Sequence, residues 1–344
     1  MEFCLLNDEL KVVGYLNNIV KARVTRRFFA PGEIELTTSR FSTIPDSAQY
    51  IYEAKHGVCA VIEKMRREED GECVIGGRTA ECLLERQLLK KEGYYIGSVA
   101  GAVNLILQQY VLTGGVFPTL RMGKTDSLPG NEKLRFEWMS VSEWLYRALA
   151  RYGASYKLDL ADGDDKFTFN TVTGRDLTSS GDIAGVIIRE EDGSLEGARF
   201  SLDGSDYANV LCIVGNDGRY ATIPETVSVA GLERRETFLE ARDIYPTSFS
   251  TDEAYFAALR ERGEGHLSAY RERVSFTGEV TGGKYHRFGT DYTLGDICTV
   301  ELSSGISLSL RVCSVTYTYE NGAELVHVGF GGDVSSSAVQ SITA

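Results

Sequence analysis

Tyr285-His286-Arg287-Phe288-Gly289-Thr290-Asp291-Tyr292-Thr293-Leu294-Gly295-Asp296-Ile297-Cys298-Thr299-Val300 reads as a polar approach, a tight corner and then a strand. Gly295 permits a backbone conformation closed to other residues. Asp296 has a side chain that can hydrogen-bond the backbone of the corner. Ile297, Thr299 and Glu301 then alternate with Cys298, Val300 and Leu302, as a strand in a curled sheet requires. Nothing in this stretch performs chemistry. It is a construction signal for a small β-barrel.

Downstream, Thr316-Tyr317-Thr318-Tyr319 and Glu324-Leu325-Val326-His327-Val328 flank Glu320-Asn321-Gly322-Ala323, a hairpin pattern because Asn-Gly suits a type I′ turn. Upstream, Ile19–Val24 and Phe28–Leu36, with Pro31-Gly32 as a turn, read as strands. So do Gly57–Lys64 and Glu72–Gly76, with Glu68-Glu69-Asp70-Gly71 as a charged tip. The middle is helical. Thr79 is placed to cap a helix through Lys90, and Ser98 one through Leu112. Ser140 and Glu143 form a capping box before Trp144, and Gly153 ends that helix. A fourth helix starts near Ser250 and breaks around Gly263-Glu264-Gly265.

The expected fold is α+β, mainly β: small β-barrel domains with inserted helices. The expected segments are 1–76, a first β-barrel; 77–154, a mainly helical insertion; 155–249, a second β-rich domain; 250–273, a linking helix; 274–332, a C-terminal β-barrel; and 333–344, a flexible tail. A chain of 344 residues, 43% hydrophobic and 25% charged, fits a soluble protein of two or three domains. No apolar run is long enough to cross a bilayer, and the N-terminus implies no signal peptide. The seven cysteines are odd in number and widely spaced, which favours reduced buried thiols.

Net charge is −13 and unevenly spread. Between Asp159 and Asp206 twelve acids face four bases, a net of −8. Such a surface repels nucleic acid, whose binding depends on neutralised phosphates. Its alternative reading is a set of solvated hairpin tips.

Four stretches resemble, in order, the baseplate-hub or tail-associated proteins of long-tailed phages and prophages. They are Gly174-Arg175-Asp176-Leu177-Thr178, Asp206-Tyr207-Ala208-Asn209-Val210-Leu211-Cys212-Ile213-Val214-Gly215, Arg234-Arg235-Glu236-Thr237-Phe238-Leu239-Glu240-Ala241-Arg242-Asp243, and the opening corner. The resemblance spans almost the whole chain. It implies a phage tail-hub-like fold, and structural roles for Leu294, Gly295, Asp296, Asn209, Arg234, Arg235 and Glu236. It also implies a structural virion protein, a homotrimer lying between distal tail or tube proteins and downstream tip or fibre proteins. The resemblance places it in the virion tail, assembled in the host cytoplasm. In that role DNA passes without specific binding. Asp162, Asp164, Asp165, Glu190, Glu191 and Asp192 are then candidates to face the channel.

Signals for chemistry are absent. Gly123-Lys124-Thr125 lacks the earlier glycine of a phosphate loop, where Pro118 stands instead. The four histidines form no metal-binding spacing, no Cys-x-x-Cys occurs, and no Gly-x-Ser-x-Gly elbow is present. The sequence therefore names no catalytic residue, metal site or cofactor. The competing reading is a carbohydrate-binding or cell-wall-hydrolysing β-domain protein, for which the plentiful acids and aromatics would have to line a cleft.

Overall fold

Alternation of apolar and polar residues makes strand the commonest element, 44% against 19% helix. The computed structural model describes residues 2–39, 44–67, 72–113, 117–126, 128, 132–136, 138–178, 185–191, 195–267, 270, 273–279, 285–303, 305, 307–320 and 322–332. The N-terminal strands are β1 (Phe3–Leu6), β2 (Val12–Leu16), β3 (Ile19–Arg27), β4 (Glu33–Thr38), β5 (Tyr50–Glu53), β6 (Val58–Val61), β7 (Lys64–Arg67) and β8 (Cys73–Arg78). The middle holds β9 (Leu88–Leu89), β10 (Gly93–Gly97), α1 (Val99–Leu107), β11 (Leu120–Met122), β12 (Glu132–Phe136), β13 (Met139–Ser140) and α2 (Val141–Ala150). Next come β14 (Ala154–Asp159), β15 (Phe167–Thr173), β16 (Asp176–Leu177), β17 (Ile187–Arg189), β18 (Glu196–Asp203), β19 (Val210–Gly215), β20 (Tyr220–Ile223), β21 (Glu236–Ala241) and α3 (Asp252–Leu267). The last strands are β22 (Arg273–Glu279), β23 (Ile297–Glu301), β24 (Ser307–Glu320) and β25 (Ala323–Gly332). The chain divides into two compact units, Met1–Ala198 with Thr277–Gly331, and Arg199–Phe276 with Gly332–Ala344.

In the first unit the largest sheet runs β7-β8-β4-β3-β24-β25, so strands from both ends of the sequence share it. Ala22, Val24, Ile34, Leu36, Ile75, Val315 and Val328 are buried, which follows from the period-2 spacing of each strand. The fold is mostly β, but the small β-barrels expected from the sequence are not found. Among the described residues no sheet closes on itself. The edge strand β7 explains how an open sheet is tolerated: Lys64, Arg66 and Arg67 are all exposed along it, and charged side chains blunt a free edge.

A second core in this unit packs α1 and α2 against β14 and β15. Val103, Ile106, Leu145, Leu149, Phe167 and Phe169 are fully buried there. Ser98 accepts a hydrogen bond from the Gly101 N–H (3.1 Å) and Ser140 one from the Glu143 N–H (3.1 Å), so both helices begin at side-chain caps. The helix expected from Thr79 through Lys90 is instead a short 3-10 turn, Ala80–Arg86. Thr79 does not cap it, because its hydroxyl takes the Gly32 N–H (2.8 Å). Leu89 is then fully buried in the β9–β13 pair, a tertiary gain that overrides local helix preference.

In the second unit α3 covers one face of the sheet β20-β19-β21, burying Leu211, Ile213, Ala221, Ile223, Ala241, Tyr255 and Leu259. The helix begins beside Thr251, whose hydroxyl accepts from the Ala254 N–H (3.2 Å), and it does not break at Gly263-Glu264-Gly265. Gly263 lies mid-helix because the sheet approaches closely: a Cβ there would stand 2.1 Å from Ile223 Cδ1. The charged tip Glu68-Glu69-Asp70-Gly71 and the 333–344 tail lie outside the described residues.

Candidate functional site

Strand β24 changes partner along one edge. Ser307 to Arg311 pair antiparallel with β23, and Ser314 to Glu320 pair antiparallel with β3. On the other edge β25 pairs from Arg311 to Glu320, with a register shift between Val312 and Ser314. Two strands thus lie end to end against a third, and the corner Leu294-Gly295-Asp296 fills the gap between them. The Gly295 N–H donates to the Val312 carbonyl (2.9 Å), and the Val312 N–H donates to the Asp296 carbonyl (2.8 Å). From the other side the Phe28 N–H donates to the Cys313 carbonyl (2.8 Å).

Two glycines make this closeness possible. Gly295 has φ +97°, and a Cβ on it would lie 2.3 Å from the Phe28 ring. A Cβ on Gly174 would lie 1.7 Å from the Gly295 carbonyl oxygen. The Gly174–Thr178 stretch is thereby pressed onto the corner, and β16 and β17 run parallel to β23.

Asp296 is the polar centre of the fork and is 1% exposed. Its carboxylate accepts from the Arg175 N–H (2.8 Å), the Arg175 guanidinium (2.6 Å at Nη2) and the Thr293 N–H (2.8 Å). Burial alone would raise its pKa; the Arg175 and Thr293 hydrogen bonds outweigh that and hold it below the usual carboxylate range. Arg311 completes the fork, donating to the Gly295 carbonyl (2.6 Å) and lying 5.5 Å over the Phe28 ring. Sequence reasoning missed Arg311 and Phe28, because nothing local in Ser307–Glu320 or Phe28-Phe29 marks a partner so distant in the chain.

A second polar cluster adjoins the fork. Glu53 is fully buried and accepts from the Lys55 N–H (2.9 Å), the His56 N–H (2.8 Å) and His56 Nδ1 (2.8 Å). Burial pushes its pKa up, yet the His56 and Lys55 hydrogen bonds leave it lowered overall. His56 Nε2 faces Glu324 (3.2 Å), and its ring stacks on Tyr317 at 3.7 Å. Between this cluster and the corner lies a cavity of about 410 Å³.

The other sequence-marked residues meet in the second unit. The Asn209 N–H donates to the Arg235 carbonyl (3.0 Å), and the Arg235 N–H donates back to Asn209 Oδ1 (2.9 Å). Asn209 Nδ2 donates to the Glu233 carbonyl (2.7 Å), and Arg234 pairs with Glu236 (2.6 Å). This clamp opens the parallel β19–β21 pair. The acids sit on two different turns. Asp162, Asp164 and Asp165 lie between β14 and β15, where Asp164 takes the Arg121 guanidinium. Glu190 follows β17 and accepts from the Ser303 N–H (3.0 Å) and hydroxyl (2.6 Å), while Glu191 is exposed. Asp192 lies outside the described residues. Among the described residues no group of three His, Cys, Asp or Glu side chains has the arrangement to hold a metal, and no helix is long and apolar enough to cross a membrane.

Comparison with known proteins gives a consistent picture. Residues 2–332 match the model of the Siphovirus ReqiPepy6 Gp37-like protein family. The fold resembles that of the 43 kDa tail protein of prophage MuSo2 from Shewanella oneidensis (TM-score 0.62, 13% identity, 98% of this chain and 99% of that one). It also resembles prophage tail protein gp18 from Listeria monocytogenes EGD-e (TM-score 0.58, 13% identity, 100% and 98%). A tail protein from Neisseria meningitidis MC58 is similar over 96% of each chain (TM-score 0.60, 12% identity). No curated protein matches the sequence.

Proposed function

Because the chain belongs to the Siphovirus ReqiPepy6 Gp37-like family of phage tail proteins, we propose that it is the hub subunit joining the tail tube to the tail tip. The observation that carries this reading is the family match over residues 2–332, together with likeness to tail proteins over nearly the full length of both chains. Three copies form a ring. Each offers two β surfaces to the tube, so that three chains present sixfold-like contacts. Tube proteins bind one side, and tip or fibre proteins the other. The role is structural, with no turnover of substrate, and its place is the virion tail.

In this ring Asp162, Asp164, Asp165, Glu190 and Glu191 face the channel. Like-charge repulsion reaching roughly 8–10 Å keeps DNA from sticking. The test is electron microscopy of the protein co-expressed with its tube neighbour. A threefold ring with two similar lobes per chain is the expected density. A stable twofold dimer contradicts the hub, and carboxylates facing outward contradict the channel role alone. Reproducible peptidoglycan hydrolysis by the pure protein, abolished by a single Asp or Glu substitution, overturns the structural reading.

A further inference from the structure

We propose that the cavity beside the fork is a binding site for a carboxylate carried on a flat apolar body, with Arg26 as its anion receptor. Arg26 stands opposite Val315 in the β3–β24 ladder, one pair from Val24 opposite Tyr317. Successive residues of a strand alternate faces, so Arg26 shares the inward face with Ala22, Val24 and Tyr317, all buried. An arginine there, half-buried among apolar side chains, calls for a counter-charge.

The other basic groups in the cavity wall already have partners. Arg27 binds Glu33 and the Pro31 carbonyl, Lys157 binds Asp159 (3.0 Å), and His56 lies between Glu53 and Glu324. Among the described residues the Arg26 side chain makes no hydrogen bond or ion pair; its charge is felt by the Tyr317 phenol. Arg26 lines the cavity, and a guanidinium offers a fork that matches a carboxylate two-to-two. The rest of the wall sets the body of the ligand. Phe28, Phe288 and Tyr317 contribute rings, the last two 6.4 Å apart at 65°, and Val58 and Leu158 contribute aliphatic surface. About 410 Å³ lies within the range of small-molecule sites. The wall also holds polar groups, among them Thr79, Ser155 and Glu81, whose carboxylate accepts from the Leu158 N–H (3.0 Å).

A free aromatic acid and the carboxyl end of a polypeptide finishing in an aromatic residue share this chemistry. Calorimetric titration of the full chain with benzoate, benzyl alcohol and a tripeptide ending in phenylalanine separates them. Benzoate or the tripeptide is expected to bind, benzyl alcohol to bind much more weakly, and Arg26→Met to weaken acid binding by about tenfold or more. Tighter binding of the tripeptide assigns the site to a chain terminus; tighter binding of benzoate assigns it to a free acid. No heat of binding from either acid at about 10 mM, or equal binding by Arg26→Met, overturns the proposal. The melting temperature of unliganded Arg26→Met is a second check. Removing an uncompensated charge leaves it equal or higher, and a marked fall shows that Arg26 is already partnered, which also overturns the proposal.

Discussion

The fork at β24 and the clamp opening β19–β21 both join segments far apart in sequence, the first through a buried carboxylate and the second through a half-exposed amide. Asp296, itself buried, gathers two backbone N–H groups and the guanidinium of Arg175, whose side chain is half-exposed. Asn209 makes its exchange with Arg235 and Glu233 near solvent. An ionised acceptor makes stronger hydrogen bonds, yet its donors become costly once it is removed. A neutral amide at the surface binds less and is replaced by water when lost. The fork is therefore the less forgiving joint.

Substitutions sharpen that contrast. Asp296→Ala strands the Arg175 and Thr293 backbone N–H donors while the half-exposed guanidinium turns to water, and should cost about 2–3 kcal/mol in urea unfolding. This contribution depends on pH with a defined sign. The folded Asp296 has a lowered pKa, so its stabilisation is complete above the unfolded carboxyl value of about 3.9 and disappears as pH falls through the folded value. The stability gap between the native chain and Asp296→Asn should hold steady above about pH 5 and shrink below pH ~4. A gap that widens in acid breaks the argument.

Gly295→Val should cost about 2 kcal/mol, from the positive φ and the collision with Phe28 together. Unchanged thermal stability of this variant removes the corner from the account. Asn209→Ala should cost only about 1 kcal/mol. If its cost equals that of Asp296→Ala, burial is not what separates the two joints.

Local elements were legible in the sequence. Gly295, the helix caps at Ser98 and Ser140, and the hairpin turn at Gly322 are set by residues within a few positions of one another. What the sequence concealed is non-local. Parallel pairing of Asp176-Leu177 with Ile297-Cys298 spans most of a domain, and no propensity encodes it. The expected barrels failed for a related reason, since alternation specifies a curled strand but not whether its sheet closes. The helix expected after Thr79 and the break expected at Gly263 failed because tertiary contacts, through Gly32 and Ile223, decided them. Glu53 and Glu324 escaped notice around His56 because one reads as a strand end and the other lies far downstream.

Strand β24 has a consequence for how this unit opens. Because β3 and β23 share one edge of it and β25 holds the other, displacing β24 breaks all three ladders together. Residues near both ends of the sequence therefore belong to one cooperative element. Amide protons on Val24 and on Val300 should exchange with solvent through the same rare opening, at one free energy, although 275 positions of sequence lie between them.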